Sequence, residues 1–148
     1  MGTESGWTLL AHEDKAVVLG ALGRYKKAED IMRYILPIAT QNTGADLISV
    51  LFGRQVLATL LIRQHQFKEA EDILVNVAGR QTTMSSRRGN YHPDRIASLI
   101  ELARCYQLQG KLGESIEVCD EAIQALKEIT VSQTHIHGNT GRSALEND

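Results

Sequence analysis

The chain has 148 residues, 43 % of them apolar and 23 % charged, with a net charge of −2. That length suits one compact domain, and the near-neutral balance excludes a partner recognised by bulk charge, such as nucleic acid or an anionic membrane surface. No apolar run reaches the ~20 residues of a membrane-spanning helix, and "MGTESGWTLL" lacks a basic start with an apolar segment behind it, so the chain is expected inside the cell, in the cytoplasm.

Residues 1–8 read as an N-terminal extension. A first helical pattern follows at 15–23, "KAVVLGALG", with Ala16, Leu19 and a turn glycine, Gly23. From Tyr25 each residue advances about 100° around a helix. Ala28, Ile31, Met32, Ile35, Leu36, Ile38 and Ala39 then share one side with Tyr25, while Lys26, Lys27, Asp30 and Arg33 share the other. Pro37 removes one backbone bond and is expected to kink or close this helix. Tyr34 lies opposite the apolar stripe, which makes it a candidate contact for another chain.

The same shape returns 42 residues later: "KKAEDIM" at 26–32 becomes "KEAEDIL" at 68–74, each behind an aromatic. Before the second copy, "RQVLATLLIRQHQ" at 54–66 places Leu57, Ala58 and Leu61 at helical spacing. His65 stands there where the first copy has Gly23, so this turn should be strained or different. From Phe67, Ala70, Ile73, Leu74, Val77 and Ala78 form the apolar side. Residues 80–92, rich in Ser, Thr and Arg, read as a basic, solvated linker, with Ser85 and Ser86 as candidate kinase sites beside Arg87 and Arg88.

A third copy runs through "IASLIELARCYQLQG" at 96–110 and "KLGESIEVCDEAIQALKEI" at 111–129. The second of these has a polar half, which would let it end a stack facing water. Small residues recur where paired helices would meet: Ala16, Ala58 and Ala103 on the first helix of each pair, and Ala28, Ala70 and Ser115 on the second. Cys105 and Cys119 fall in apolar patterns and read as reduced core thiols. The tail 131–148 lacks periodicity and is expected to be disordered.

The segment "HPDRIASLIELARCYQLQGKLGESIEVCDEAI" at 92–123 resembles the tetratricopeptide repeat family, in its long, kinesin-light-chain-like version. It has His-Pro-Asp before the first helix, Leu-Ala then Tyr inside it, and Gly before the second. Pro93 suits a first helical position and Asp94 the positive end of the helix dipole. The likeness extends over 9–129, although Lys15 stands where the family usually has a core Leu. It implies an all-α fold: three antiparallel helical hairpins, at about 9–42, 45–79 and 93–130, stacked as a short right-handed α-solenoid.

Nothing in the sequence converges as a catalytic, cofactor or metal site. His135 and His137 have no third ligand nearby, the cysteines lie in apolar stripes that raise a thiol pKa, and no Gly-rich phosphate loop occurs. The resemblance implies a groove lined by the first helices of the hairpins, holding a peptide or partner helix. Counting outward from the packed positions places Glu13, Val17, Phe52, Gln55, Thr59, Arg63, Ile100, Arg104 and Gln107 on that side. Arg63 and Arg104 could fork onto a carboxylate, and Gln55 and Gln107 could bond an extended backbone. The expected function is therefore a non-catalytic module that binds a protein, a peptide or a second copy of itself. Alternatives are a ligand-sensing or regulatory segment of a larger, receptor-like nucleotide-binding protein, and a self-assembling scaffold.

Overall fold

A computed structural model of the chain describes residues 5–44, 48–88 and 93–140, which form six helices. They are α1 (Gly6–Ala21), α2 (Tyr25–Thr43), α3 (Ile48–Arg63), α4 (Phe67–Arg88), α5 (Pro93–Leu108) and α6 (Leu112–Thr140). Each helix packs on the next, and in addition α1 meets α3 and α3 meets α5. The odd-numbered helices therefore share one side of a row of three hairpins. This is the stacked-hairpin architecture that the repeats imply.

Within each hairpin, small residues bring the backbones together. Ala16, Ala28, Ala58 and Ala70 are completely buried, and in the third hairpin the Ser115 hydroxyl donates to the Ala103 carbonyl at 2.9 Å. The three hairpin turns repeat one geometry. Arg24 N–H bonds Leu19 O, Gln66 N–H bonds Leu61 O, and Lys111 N–H bonds Tyr106 O, each at 2.9 Å. This closure needs a left-handed residue just past the helix end. Gly23 and Gly110 supply it with φ of 77°, and His65 adopts the same conformation with φ of 61°. The middle turn thus keeps the shape at the expense of strain that a side chain introduces.

Between hairpins, a second set of contacts repeats. A Cβ added to Gly53 would lie 2.9 Å from Leu36 Cδ2, so α3 crosses α2 closely there, over Met32 and Leu36. The Gln64 amide, one residue past α3, donates to Glu29 Oε2 at 2.8 Å. One hairpin later the Gln109 amide, one residue past α5, donates to Glu71 Oε2 at 3.0 Å. Glu29 and Glu71 are the fifth residues of α2 and α4. Arg33 Nε completes the first site at 2.8 Å and Lys111 Nζ the second at 2.9 Å. Burial by itself would push the Glu29 carboxyl up, but the bonds from Arg33 and Gln64 and the nearby cations outweigh it and hold it below the ordinary range. The Glu71 carboxyl is also held low, by Lys111 first and Gln109 second.

Several boundaries differ from the sequence expectation. The extension assigned to 1–8 is helical from Gly6, because Ser5 caps α1 by accepting the Thr8 N–H at 3.2 Å; residues 1–4 lie outside the described residues. The linker assigned to 80–92 is helical through Arg88, while 89–92 lie outside the described residues. Thr82 and Thr83 hydroxyls bond back to Ala78 O and Gly79 O, and Gln81 is fully buried, so the polar composition is absorbed by helix. Ser85 and Ser86 fall on this extension of α4. The tail assigned to 131–148 continues α6 to Thr140, with Thr134 bonding back to Thr130 O at 3.2 Å; residues 141–148 lie outside the described residues. Pro37 does not close α2, which runs on to Thr43. Nor does α6 end the row with a polar face: Leu112, Ile116, Ile123 and Leu126 are exposed, and so is Cys119.

A candidate binding hollow along the odd-numbered helices

Two hollows open on the side shared by α1, α3 and α5. The first, of about 290 Å³, lies between α1 and α3 and is walled by Val17, Gly20, Ala21, Phe52, Gln55, Val56, Thr59, Leu60 and Arg63, with Tyr25 at its end. The second, of about 500 Å³, lies between α3 and α5 near the hairpin turns. Its wall is Tyr25, Ile62, Arg63, His65, Arg104 and Leu108. Arg63 belongs to both, so the two hollows adjoin.

The expected site residues fall as follows. Phe52, Gln55, Thr59 and Arg63 share the first hollow, and Arg63 and Arg104 share the second. Gln107 and Ile100 instead line a third opening, between α5 and α6, which Arg104 also borders. Some of these groups are already engaged. Gln55 Oε1 accepts the Ser98 hydroxyl at 3.2 Å, and the Thr59 hydroxyl donates to Gln55 O at 3.1 Å. Gln55 therefore helps tie α3 to α5 through its side-chain oxygen. Arg104 Nη1 pairs with Glu101 Oε1 at 3.0 Å. Arg63 has no ion pair or hydrogen bond among the described residues. Tyr34 lies apart from the hollows: it is exposed on α2, edge-on to His12 of α1 with ring centroids 6.3 Å apart. Glu13 turns inward, toward Gly53, and burial pushes its carboxyl up, with Asp14 adding to the effect.

Tyr25, Ile62, His65 and Leu108 complete the second hollow; the sequence pattern places Tyr25 on an apolar side and His65 at a turn, and gives Ile62 and Leu108 no role. A signal was present. His65 and Tyr25 each sit at a hairpin turn, and successive turns of a hairpin row come together at one edge. Chemically the second hollow has two guanidinium groups, an imidazole and a phenol around an apolar floor. Its wall includes no acidic side chain. No group of metal-ligating side chains occurs among the described residues, and no described helix is long and apolar enough to cross a membrane. Cys105 is buried, its thiol pushed up by that burial, and lies 3.4 Å from Phe67 O, so it packs rather than reacts.

No protein-family model matches the sequence. Among curated proteins it is similar to Protein KINESIN LIGHT CHAIN-RELATED 2 of Arabidopsis thaliana, 25 % identical over 114 residues. That match covers 76 % of this chain and 16 % of the plant protein. Among solved structures, the nearly identical TPR-like repeats of a kinesin-light-chain-type protein from Podosopora anserina superpose with TM-scores of 0.73 and 0.69 at 24 % and 23 % identity. The superpositions cover 88 % and 87 % of this chain and 60 % of each of those chains. BtubC (BKLC) from P. vanneervenii superposes with a TM-score of 0.78 at 16 % identity, over 86 % of this chain and 50 % of that one. The paired helices, the repeated turn and these superpositions together give the chain the fold of tetratricopeptide-like repeats, similar to those of kinesin light chains.

Proposed function

We propose that the chain is a non-catalytic interaction module that holds an extended, carboxylate-bearing segment of a protein partner along α1, α3 and α5. The observation that carries this reading is the pairing of Arg63 and Arg104 in one hollow whose wall has no acidic group. A guanidinium fork matches a carboxylate with two parallel hydrogen bonds, and a recess partly shielded from water strengthens that contact. Phe52, Val17 and Tyr25 offer apolar and aromatic surface beside it, and the Gln55 amide can donate to a peptide carbonyl. Extended segments in such a hollow gain affinity from backbone hydrogen bonds and specificity from side-chain recesses.

The test is capture on an array of immobilised peptides of varied sequence, half of them carrying Asp or Glu. The unaltered chain should retain acidic peptides, and Arg63→Glu with Arg104→Glu should lose them while keeping its helical circular dichroism. Both side chains are exposed, so the double change should leave the core intact. Equal capture by the variant would remove the hollow as the site.

A further inference from the structure

The front of α1 and the back of α6 are the two halves of a junction that the chain already makes twice. At each internal junction, four positions along the end of an odd-numbered helix are covered by the preceding hairpin: Gln64 reaches Glu29 and Gly53 lies against Leu36 on α2, Leu60 lies against Gly20 on α1, and Ser98 bonds Gln55 on α3. Counted back from the helix end they are Gln64, Leu60, Leu57 and Gly53 on α3, and Gln109, Cys105, Leu102 and Ser98 on α5. All are buried or half-buried. The same count on α1 gives Leu22, Val18, Lys15 and Ala11, all exposed.

On the even-numbered helices the receiving positions are the fifth, eighth and twelfth: Glu29, Met32 and Leu36 on α2, and Glu71, Leu74 and Ala78 on α4. Met32 and Leu74 are completely buried. On α6 those positions are Ile116, Cys119 and Ile123, again all exposed, and the last two line an apolar opening of about 390 Å³. The substitutions at the ends are matched. Where internal junctions pair Gln with Glu, the front of α1 has Leu22, 66 % exposed, and the back of α6 has Ile116, 62 % exposed. An apolar residue faces an apolar one in the same register.

We propose that the open back of α6 receives the open front of α1 from a second copy of this chain, so that copies stack head to tail. The junction then continues the internal one: Leu22 packs on Ile116 as Gln64 meets Glu29, Ala11 meets Ile123 as Gly53 meets Leu36, and Val18 lies along α5 of the receiving copy as Leu60 lies along α1. Lys15, placed where Leu57 and Leu102 stand inside the row, has a flexible stem that keeps its ammonium at the rim, where Glu117 and Asp120 flank the strip on α6. Burying such a pair of apolar strips is the driving force, and repeat rows whose terminal face is not polar are known to need a cover. The contact joins unlike surfaces, so it does not close on a dimer but propagates. The receiving opening shares Arg104 with the second hollow, but the residues substituted in the test below line neither hollow, so the two readings can be told apart.

Multi-angle light scattering on the 148-residue chain tests it. The apparent mass should climb past twice the 16.4 kDa of one copy as concentration rises. Val18→Glu blocks the front and Ile123→Glu blocks the back, and each variant should stay at the mass of one copy. Mixed together they should give a one-to-one pair, because each retains the half the other lacks. A second pair of variants tests the register. Ile116→Glu should dissolve the stack, and Ile116→Glu with Leu22→Gln in one chain should restore it by recreating the internal Glu–Gln pair. All four positions are solvent-exposed in the single copy, so helicity should be unchanged. A single-copy mass for the unaltered chain at every concentration, a plateau at two copies, a mixture that fails to pair, or a double variant that stays apart would each overturn the proposal.

Discussion

Replacing Gln64 by Leu should loosen the first internal junction by a calculable amount. The Gln64 amide donates to Glu29 at 2.8 Å, and the Glu29 side chain is only 3 % exposed. A hydrogen bond to a charged acceptor contributes about 1.5–3 kcal/mol. Glu29 keeps Arg33 at 2.8 Å and Lys26 at 3.5 Å, so the carboxylate is not orphaned and the loss belongs at the low end. We expect about 1.5 kcal/mol, or a fall in melting midpoint of about 3–6 °C for a chain of this size. The pH dependence carries the sharper test. Glu29 is held below its ordinary value in the folded chain. A depressed carboxylate adds stability that is present above the ordinary range and lost as pH falls through the folded value. Without Gln64 the depression is smaller, so the gap between the two chains should be widest at pH 7 and narrow below about pH 4. Urea unfolding followed by circular dichroism at both pH values measures it. A gap of equal size at the two pH values, or one under about 0.5 kcal/mol at pH 7, would refute the assignment.

Two further substitutions probe strain and burial. His65 adopts φ of 61° while its ring meets Phe67 edge-on at 5.6 Å. His65→Gly should relieve about 1 kcal/mol of left-handed strain and forfeit about 0.5 kcal/mol of ring contact. Thermal melts should therefore rank Gly above His and His above Ala at this position, and Ala matching Gly would contradict the strain. Glu13→Gln should raise the melting midpoint at pH 7, because burial of Glu13 penalises its charge. A carboxyl raised in the folded chain takes up a proton more readily when folded, so the unaltered chain recovers this loss as pH falls into the carboxylate range. The advantage of the variant should shrink over that interval, and a constant advantage would contradict the cause.

The fold was legible because its repeat is written in residues that cannot be exchanged freely. Ala28 and Ala70 are completely buried where α1 meets α2 and α3 meets α4, and any larger side chain there would separate the helices. Boundaries were less legible. Thr82, Thr83 and Thr134 look like loop residues by composition, yet each satisfies its hydroxyl on a helical carbonyl one turn back, which composition does not reveal. The odd-helix positions named from periodicity were partly placed together, since Arg63 and Arg104 meet in one hollow while Gln107 turns to another. Periodicity fixes a direction around a helix but not how far one helix slides along the next. That slide decides which neighbour a long side chain reaches.

What sets the slide is the Glu–Gln pair, and this connects the packing to the hollow. A slip of one turn moves a residue by about 5.4 Å along the helix. Such a slip of α3 on α2 would part Gln64 from Glu29 and drive the flanks of Gly53 into Leu36. The lost bond costs about 1.5 kcal/mol and the clash at Gly53 adds to it, so neighbouring registers are disfavoured. Arg63 is the residue before Gln64, and Arg104 lies five residues before Gln109. Each guanidinium is thus positioned by the junction beside it, although neither touches the Glu. The spacing of the two cations across the hollow follows from two buried hydrogen bonds outside it, which is why polar atoms are kept at junctions that apolar residues alone could have filled.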